Sequence, residues 1–283
     1  MESKIDKKYF FSFGKNWKNY VKNVVNENVI LQAKESLLRY LPQQEYRDKI
    51  FIDIGCGSGL FSISALLLGV KKVISFDIDE VNMEAVNILK NKFRYLIPSD
   101  ISWEIFKGNI LDKKLVENLK EKGDIVYSWG VLHHTGNMWQ AIENALNFVK
   151  HKGYFIVSIY NHASTSLAWQ KIKKFYNQHL TLRPFLEIFY GVFVCSGYIF
   201  KNRTLNLYRQ RGMHVFYDAI DWIGGYPYEF ACFEDIKNFV EKFGFKLVFS
   251  PTKLPCEKIF QTNLFKIMRA ANTGCNEFVF KKL

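Results

Sequence analysis

The segment Asp53-Ile54-Gly55-Cys56-Gly57-Ser58-Gly59 constrains the fold of this chain more than any other. The short apolar run IFIDI at 50–54 leads into it, and Leu60 to Leu68 follows as a buried helix that stops near Gly69. A strand, a glycine cluster and a helix in that order form a nucleotide-binding corner, because glycine lets the backbone turn tightly and come close to a ligand. The dinucleotide fingerprint GxGxxG would need glycine at position 60 to seat a pyrophosphate on the helix end. Leu60 stands there and the spacing is GxGxG, so that reading fails. The phosphate-cradling GxxxxGK[ST] is not found here either.

The same alternation runs on. KVISFD at 72–77 reads as a second strand and 80–94 as a second helix. WEIFK at 103–107 reads as a third strand and DIVYS at 124–128 as a fourth. Residues 138–149 form an amphipathic helix, and Tyr154 to Ile159 a fifth strand after the turn at Lys152-Gly153. Strands alternating with helices predict an α/β fold with a doubly wound, mostly parallel sheet covered on both faces. Ahead of it, residues 16–41 read as one or two helices closed by Pro42. The rhythm stops at Asn161 and resumes with a helix at 233–243 and strands at 245–249 and 276–281. The chain thus divides into an N-terminal helical lid (1–49), a core (50–161 and 232–283) and an inserted helical, aromatic cap (162–231). A long insertion inside a compact domain is usually functional.

Composition narrows the partners. With 48% hydrophobic residues the chain can bury a core, which excludes a disordered or fibrous protein. Of the net charge of +12, the segment 162–211 holds eight basic and one acidic side chain, a surplus of +7. A local positive field of this kind favours an anionic ligand or surface. The five cysteines are scattered with no CxxC, which argues against a disulfide framework or structural zinc and points to a reducing cytoplasm. The N-terminus has no apolar core between charged ends, unlike a secretion signal. Phe185 to Phe200 contains Glu187 and two glycines. Crossing a bilayer takes about 20 residues, so the run is too short and too interrupted to span.

Four elements in order carry a resemblance. Asp53 to Gly59 with Asp77, then Gly108-Asn109-Ile110 after strand three and Tyr127-Ser128-Trp129-Gly130 ending strand four, resemble a class I S-adenosylmethionine-dependent methyltransferase. The likeness covers roughly 50–160 and 233–282, where the strand–strand finish would complete that family's seven-stranded, Rossmann-like sheet with a final antiparallel strand. It implies S-adenosylmethionine as cofactor. The backbone of Gly55, Gly57 and Gly59 would admit the methionyl part, with Asp53 near its ammonium. Asp77 would take the ribose diol, Ile78 pack on adenine, and Asn109 and Ile110 meet the adenine edge. The backbone of Ser128 and Trp129 would lie along the sulfonium side.

A hydroxyl acceptor needs a base beside the methyl group, and imidazole titrates near neutrality. His133 and His134 follow strand four, and either meets that requirement. Their LHH element is similar to that of small-molecule and sugar O-methyltransferases of this fold. Carboxylates that would hold a metal are missing at Ser128-Trp129, so transfer is expected to be metal-independent. WIGGYPYEF at 222–230 with GCNEFVF at 274–280 resembles a bacterial subfamily often met beside surface-polysaccharide genes. Tyr160, Asn161, Arg211, His214, Asp218, Tyr226 and Glu229 are the expected acceptor contacts, since sugar sites combine aromatic faces with carboxylates. The expected activity is O-methylation of a small anionic molecule, such as a nucleotide-linked or phosphorylated sugar, with Arg183, Arg203, Arg209 and Arg211 holding phosphate. Alternatives are a lipid-linked or quinone-like acceptor reached through membrane contact at 185–200, an RNA substrate, and a binding protein without chemistry. No [DN]PP[YF] motif of DNA base amino-methylation and no RNA-binding module is evident.

Overall fold

The computed structural model describes residues 11–99, 101–208, 210–258 and 273–283. Two helices, α1 (Gly14–Asn23) and α2 (Glu27–Leu38), precede strand β1 (Ile50–Ile54). Asn26 separates them by capping α2, its side chain accepting from Val29 N. Then follow α3 (Leu60–Leu66), β2 (Lys72–Asp77), α4 (Glu80–Lys92), β3 (Ser102–Lys107), α5 (Lys113–Leu119), β4 (Gly123–Trp129), α6 (Met138–Asn147) and β5 (Val149–Tyr160). The insertion forms α7 (Ser166–Gln178), α8 (Arg183–Asn202) and α9 (Val215–Gly224), and the chain closes with α10 (Phe233–Glu241), β6 (Phe245–Thr252) and β7 (Cys275–Lys282).

The strands make one seven-stranded sheet in the order β3-β2-β1-β4-β5-β7-β6. β1 to β5 pair in parallel, and β7 inserts antiparallel between β5 and β6. This is the Rossmann-like methyltransferase sheet expected from the sequence. One apolar layer joins α2, α3 and α4 to one face of the sheet, through Leu37, Ile63, Val86 and Phe51. The other joins α6 and α10 to the opposite face, through Ile142, Ile236, Phe155 and Phe278. Order reverses at β1, whose neighbours are β2 and β4, so a crevice opens beyond its carboxyl end.

Several sequence expectations need correction. α5 was not anticipated: it is one short, polar helix with a single buried residue, Leu119, and so carries little apolar period. β5 begins five residues early, because Lys152 adopts φ 61° and the pairing with β4 shifts register there instead of ending the strand. The apolar run of the insertion is longer than it read. Arg183 and Pro184 extend its start and Lys201 and Asn202 its end, making α8 a 20-residue helix long and apolar enough to cross a membrane by length and composition. Its apolar face is open, with Phe185, Ile188 and Phe189 each more than 60% exposed. Cys232 and Cys256, expected to be free, form a disulfide, because the chain leaving β6 passes the first turn of α10 and brings the two Cα atoms to 5.3 Å.

The insertion leaves and rejoins the sheet at one place. Asn161 pairs with Ala231 as a parallel bridge, and Ala231 N donates to Tyr160 O. Phe278 lies beneath, fully buried and stacked on Phe233 at 4.6 Å. We expect Phe278→Ala to cost about 3–5 kcal/mol, as for other large-to-small core changes, measurable as a lower denaturation midpoint with unchanged slope.

Candidate active site

The corner after β1 is built from left-handed backbone. Gly55, Gly57 and Gly59 have φ of +66°, +52° and +76°. Gly55 N and Cys56 N both donate to Phe76 O, which ties the turn to the end of β2. A Cβ on Gly55 would lie 2.3 Å from Val131 Cγ1, and one on Gly57 would touch the Trp17 indole of α1. The N-terminal helix is therefore folded over the glycine loop. It is fastened there by Ser12 Oγ and Gly14 N, both donating to Asp79 Oδ2.

Beneath the loop runs a buried polar chain. Ser62 Oγ donates to Asp53 Oδ2 at 2.5 Å and meets Ser75 Oγ at 2.8 Å, which in turn accepts from Trp103 Nε1. Burial pushes the Asp53 carboxyl up to about 7, against the pull of the Ser62 hydroxyl. Asp77 is also raised by burial, although Asp79 N and Gly57 N donate to its two oxygens. Ile78 is 59% exposed beside it. Asn109 forms an Asx turn by accepting from Leu111 N, Ile110 is buried, and Ser128 Oγ donates to Ile54 O. Trp129 lies under the guanidinium of Arg211, 3.3 Å from the ring centroid. All ten expected cofactor residues thus gather at the carboxyl ends of β1 to β4.

This donor set fits S-adenosylmethionine. Two buried carboxylates with raised pKa values await a cationic or hydroxyl-bearing partner, and the glycine turn leaves backbone where side chains would intrude. Among the described residues no group of three or more His, Cys, Asp or Glu could hold a metal ion.

The two histidines lie in the loop after β4, which abuts the glycine corner through Val131. His133 Nδ1 accepts from Tyr160 N at 3.2 Å, which places the ring proton on Nε2, a buried atom without a partner. His134 Nδ1 lies 2.6 Å from Pro227 O, and a carbonyl can only accept, so here Nδ1 carries the proton and Nε2 keeps its lone pair. Burial drives His133 well below the usual range and His134 down to about 3. Both are neutral at physiological pH. The Tyr160 ring lies 3.9 Å from that of His133 and 5.4 Å from that of His134, and it meets Trp222 and Tyr228 from the cap.

The other expected acceptor contacts are dispersed. Asn161 does not face the crevice: its side chain donates to Pro255 O and accepts from Asn276 Nδ2, locking the end of the sheet. His214 caps α9 by accepting from Phe216 N. Glu229 Oε1 accepts from Met138 N, and Glu229 N donates to His133 O, so this residue braces the histidine loop. Tyr226 O accepts from Phe11 N, and Asp218 lies in the first turn of α9. Arg211 is buried and donates to Tyr127 Oη, which removes it from any surface phosphate site. Arg183 donates to Asn177 Oδ1, and Arg203 ends α8. Arg209 lies outside the described residues.

Sequence reasoning missed two groups here. Asp221 is held by Asn16 Nδ2 at 2.6 Å, and burial raises its carboxyl well above the ordinary range. Lys173 is fully buried among the cap aromatics. The available signal was spacing: Trp169, Lys173 and Tyr176 share the inward stripe of α7, where a lysine is out of place.

Sheet, glycine corner and paired carboxylates define an S-adenosylmethionine-dependent methyltransferase. The family described as ribosomal protein L11 methyltransferase matches residues 32–184, more than half of the sequence, and the chain belongs to it. A ribosomal protein L11 methyltransferase of Staphylococcus haemolyticus is 40% identical over 111 residues, covering 39% of this chain and 32% of the relative. One from a Psychrobacter species is 32% identical over 140 residues, covering 41% and 46%. The chain thus spans about a third to a half of the length of these relatives. Among solved structures, magnesium protoporphyrin IX methyltransferase from Synechocystis with bound SAH aligns over 98% of both chains, with a TM-score of 0.54 and 15% identity, a likeness of fold.

The comparisons overturn the expected acceptor. The relatives are named for a ribosomal protein, so O-methylation of a small anionic sugar is corrected, and the small-molecule partner with it. The lipid and RNA alternatives, and the membrane contact at 185–200, find no support there either. The physical reason is visible in the cap: aromatics and carboxylates that read as a sugar site are largely spent on docking the cap and bracing the loop.

Gly55→Ala combines an unfavourable φ with a clash against Val131. We expect a loss of about 1–3 kcal/mol in stability, and no binding of S-adenosylhomocysteine by calorimetry even where the variant remains folded.

Proposed function

We propose that this chain transfers the methyl group of S-adenosylmethionine to a protein acceptor, with ribosomal protein L11 the first to test. The family match over 32–184 carries this reading. Acting on a ribosomal protein, the enzyme would work in the cytoplasm. Residues 1–49 serve as lid, 50–161 and 232–283 as cofactor core, and 162–231 as the cap that receives the acceptor.

When bound, the cofactor supplies a methyl group on a positively charged sulfur. Asp53 holds its ammonium and Asp77 its ribose hydroxyls. Ile78, Asn109 and Ile110 border the adenine, and the backbone of Gly55, Gly57, Gly59, Ser128 and Trp129 follows the rest of the molecule. Much of the acceleration in such a displacement comes from aligning acceptor and methyl. Tyr160, Trp222 and Tyr228 supply the wall that does so. Of the two histidines, His134 has the free Nε2 lone pair and accepts a hydrogen bond that orients the acceptor group. His133 has spent its acceptor nitrogen on Tyr160 N and orients the loop.

Labelled cofactor incubated with the enzyme and with purified L11 should mark L11. Unlabelled L11 in the presence of a chain that binds the cofactor would sink the choice of acceptor. His134→Gln should lower kcat by about 10²-fold through a misplaced acceptor, with S-adenosylhomocysteine affinity unchanged. The Asp53 carboxyl, raised to about 7, must lose its proton before it can pair with the ammonium. Affinity for S-adenosylmethionine should therefore climb about tenfold per pH unit below that value and level off above it. Asp53→Asn should bind weakly and show no such slope.

A further inference from the structure

Lys173 is the least expected side chain in the molecule. It is 0% exposed, and its Nζ has no hydrogen-bond partner. Four aromatic rings surround it instead: Trp222 at 4.1 Å, Tyr228 at 4.9 Å, and Tyr160 and Trp169 each at 5.9 Å from Nζ to ring centroid. The carboxylate that acts on it most is that of Asp221, whose Oδ1 accepts from Asn16 Nδ2. Tyr160 is shared between this box and the histidine pair, so the box adjoins the histidine loop.

Such a box is mismatched to an ordinary lysine. An –NH3+ group brings three N–H donors, and buried donors without acceptors are costly. Ring faces, by contrast, attract a cation without accepting a conventional hydrogen bond, and they suit methylated ammonium groups. Each methyl group on Nζ would replace one N–H donor with apolar surface, and the fully methylated group is a cation of the kind that ring faces hold.

We propose that Lys173 is a methyl acceptor of this enzyme, modified by its own chain. The reaction forms a bond between the Nζ lone pair and the methyl carbon. The carbon–sulfur bond of S-adenosylmethionine breaks with its electron pair kept by sulfur, S-adenosylhomocysteine leaves, and the alkylated nitrogen must pass a proton to water before each further transfer, the third leaving a quaternary ammonium with none to lose. Burial holds the amine well below the usual lysine range, which makes that lone pair available at neutral pH. The proposal rests on the methyltransferase class alone and does not depend on L11 as the external acceptor.

Mass spectrometry of the full chain, as isolated and after incubation with S-adenosylmethionine, tests it. We expect a gain of about 14 Da per methyl group, up to three, located by fragmentation to Lys173 and not to Lys171 or Lys174. The rate should stay constant when the protein is diluted tenfold. In Lys173→Arg the gain should vanish while S-adenosylhomocysteine still binds. An unmodified Lys173 in a protein that binds S-adenosylhomocysteine by calorimetry would overturn the proposal and leave the L11 reading standing, as would a gain placed on a neighbouring lysine. A chain that binds no cofactor at all would remove both.

Discussion

The cofactor half of this molecule depends on one constraint: three left-handed backbone positions within five residues, Gly55 to Gly59. Side chains resist that conformation, so the turn is open to glycine and closed to most else. Two backbone donors bind it to the Phe76 carbonyl near the end of β2, and the serine chain below fixes the carboxylate of Asp53 at its mouth. Because β2 and β4 flank β1 and β3 lies beyond β2, Asp77, Ser128 and Asn109 all emerge at the same end of the sheet. The position of Asp77, Asn109 and Ser128 follows from the sheet order, not from separate recognition devices.

Burial organises the electrostatics of the crevice in one direction. Asp53, Asp77 and Asp221 are pushed toward their neutral acids, and His133, His134 and Lys173 toward their neutral bases. Ionising any one of them calls for a partner of opposite charge or a strong hydrogen bond.

The parts of the fold that repeat a period were legible in the sequence. The alternation of strands and helices and the glycine corner emerge from apolar spacing and turn residues, and the antiparallel finish was implied by the family resemblance. α5 escaped because a seven-residue polar helix has almost no apolar stripe. Asn161 and Glu229 looked like ligand contacts because polar side chains next to strand ends read the same whether they face solvent, ligand or another loop. Their hydrogen bonds to Pro255, Asn276 and Met138 join segments about 90 to 115 residues apart, a relation no local pattern encodes. Lys173 escaped for the opposite reason: in a basic segment one more lysine reads as solvated surface. The acceptor was misread for the same cause, since cap docking and carbohydrate binding draw on the same residue types.

The bridge between Asn161 and Ala231 means that the sixty-nine residues between them, 162–230, begin and end on adjacent backbone atoms. Geometrically the insertion behaves like a loop of zero span, so its length and content can change without altering the separation of β5 and α10. Evolution, or a protein engineer, could exchange this module for another and keep the donor half intact. One sheet could in this way serve acceptors of very different size.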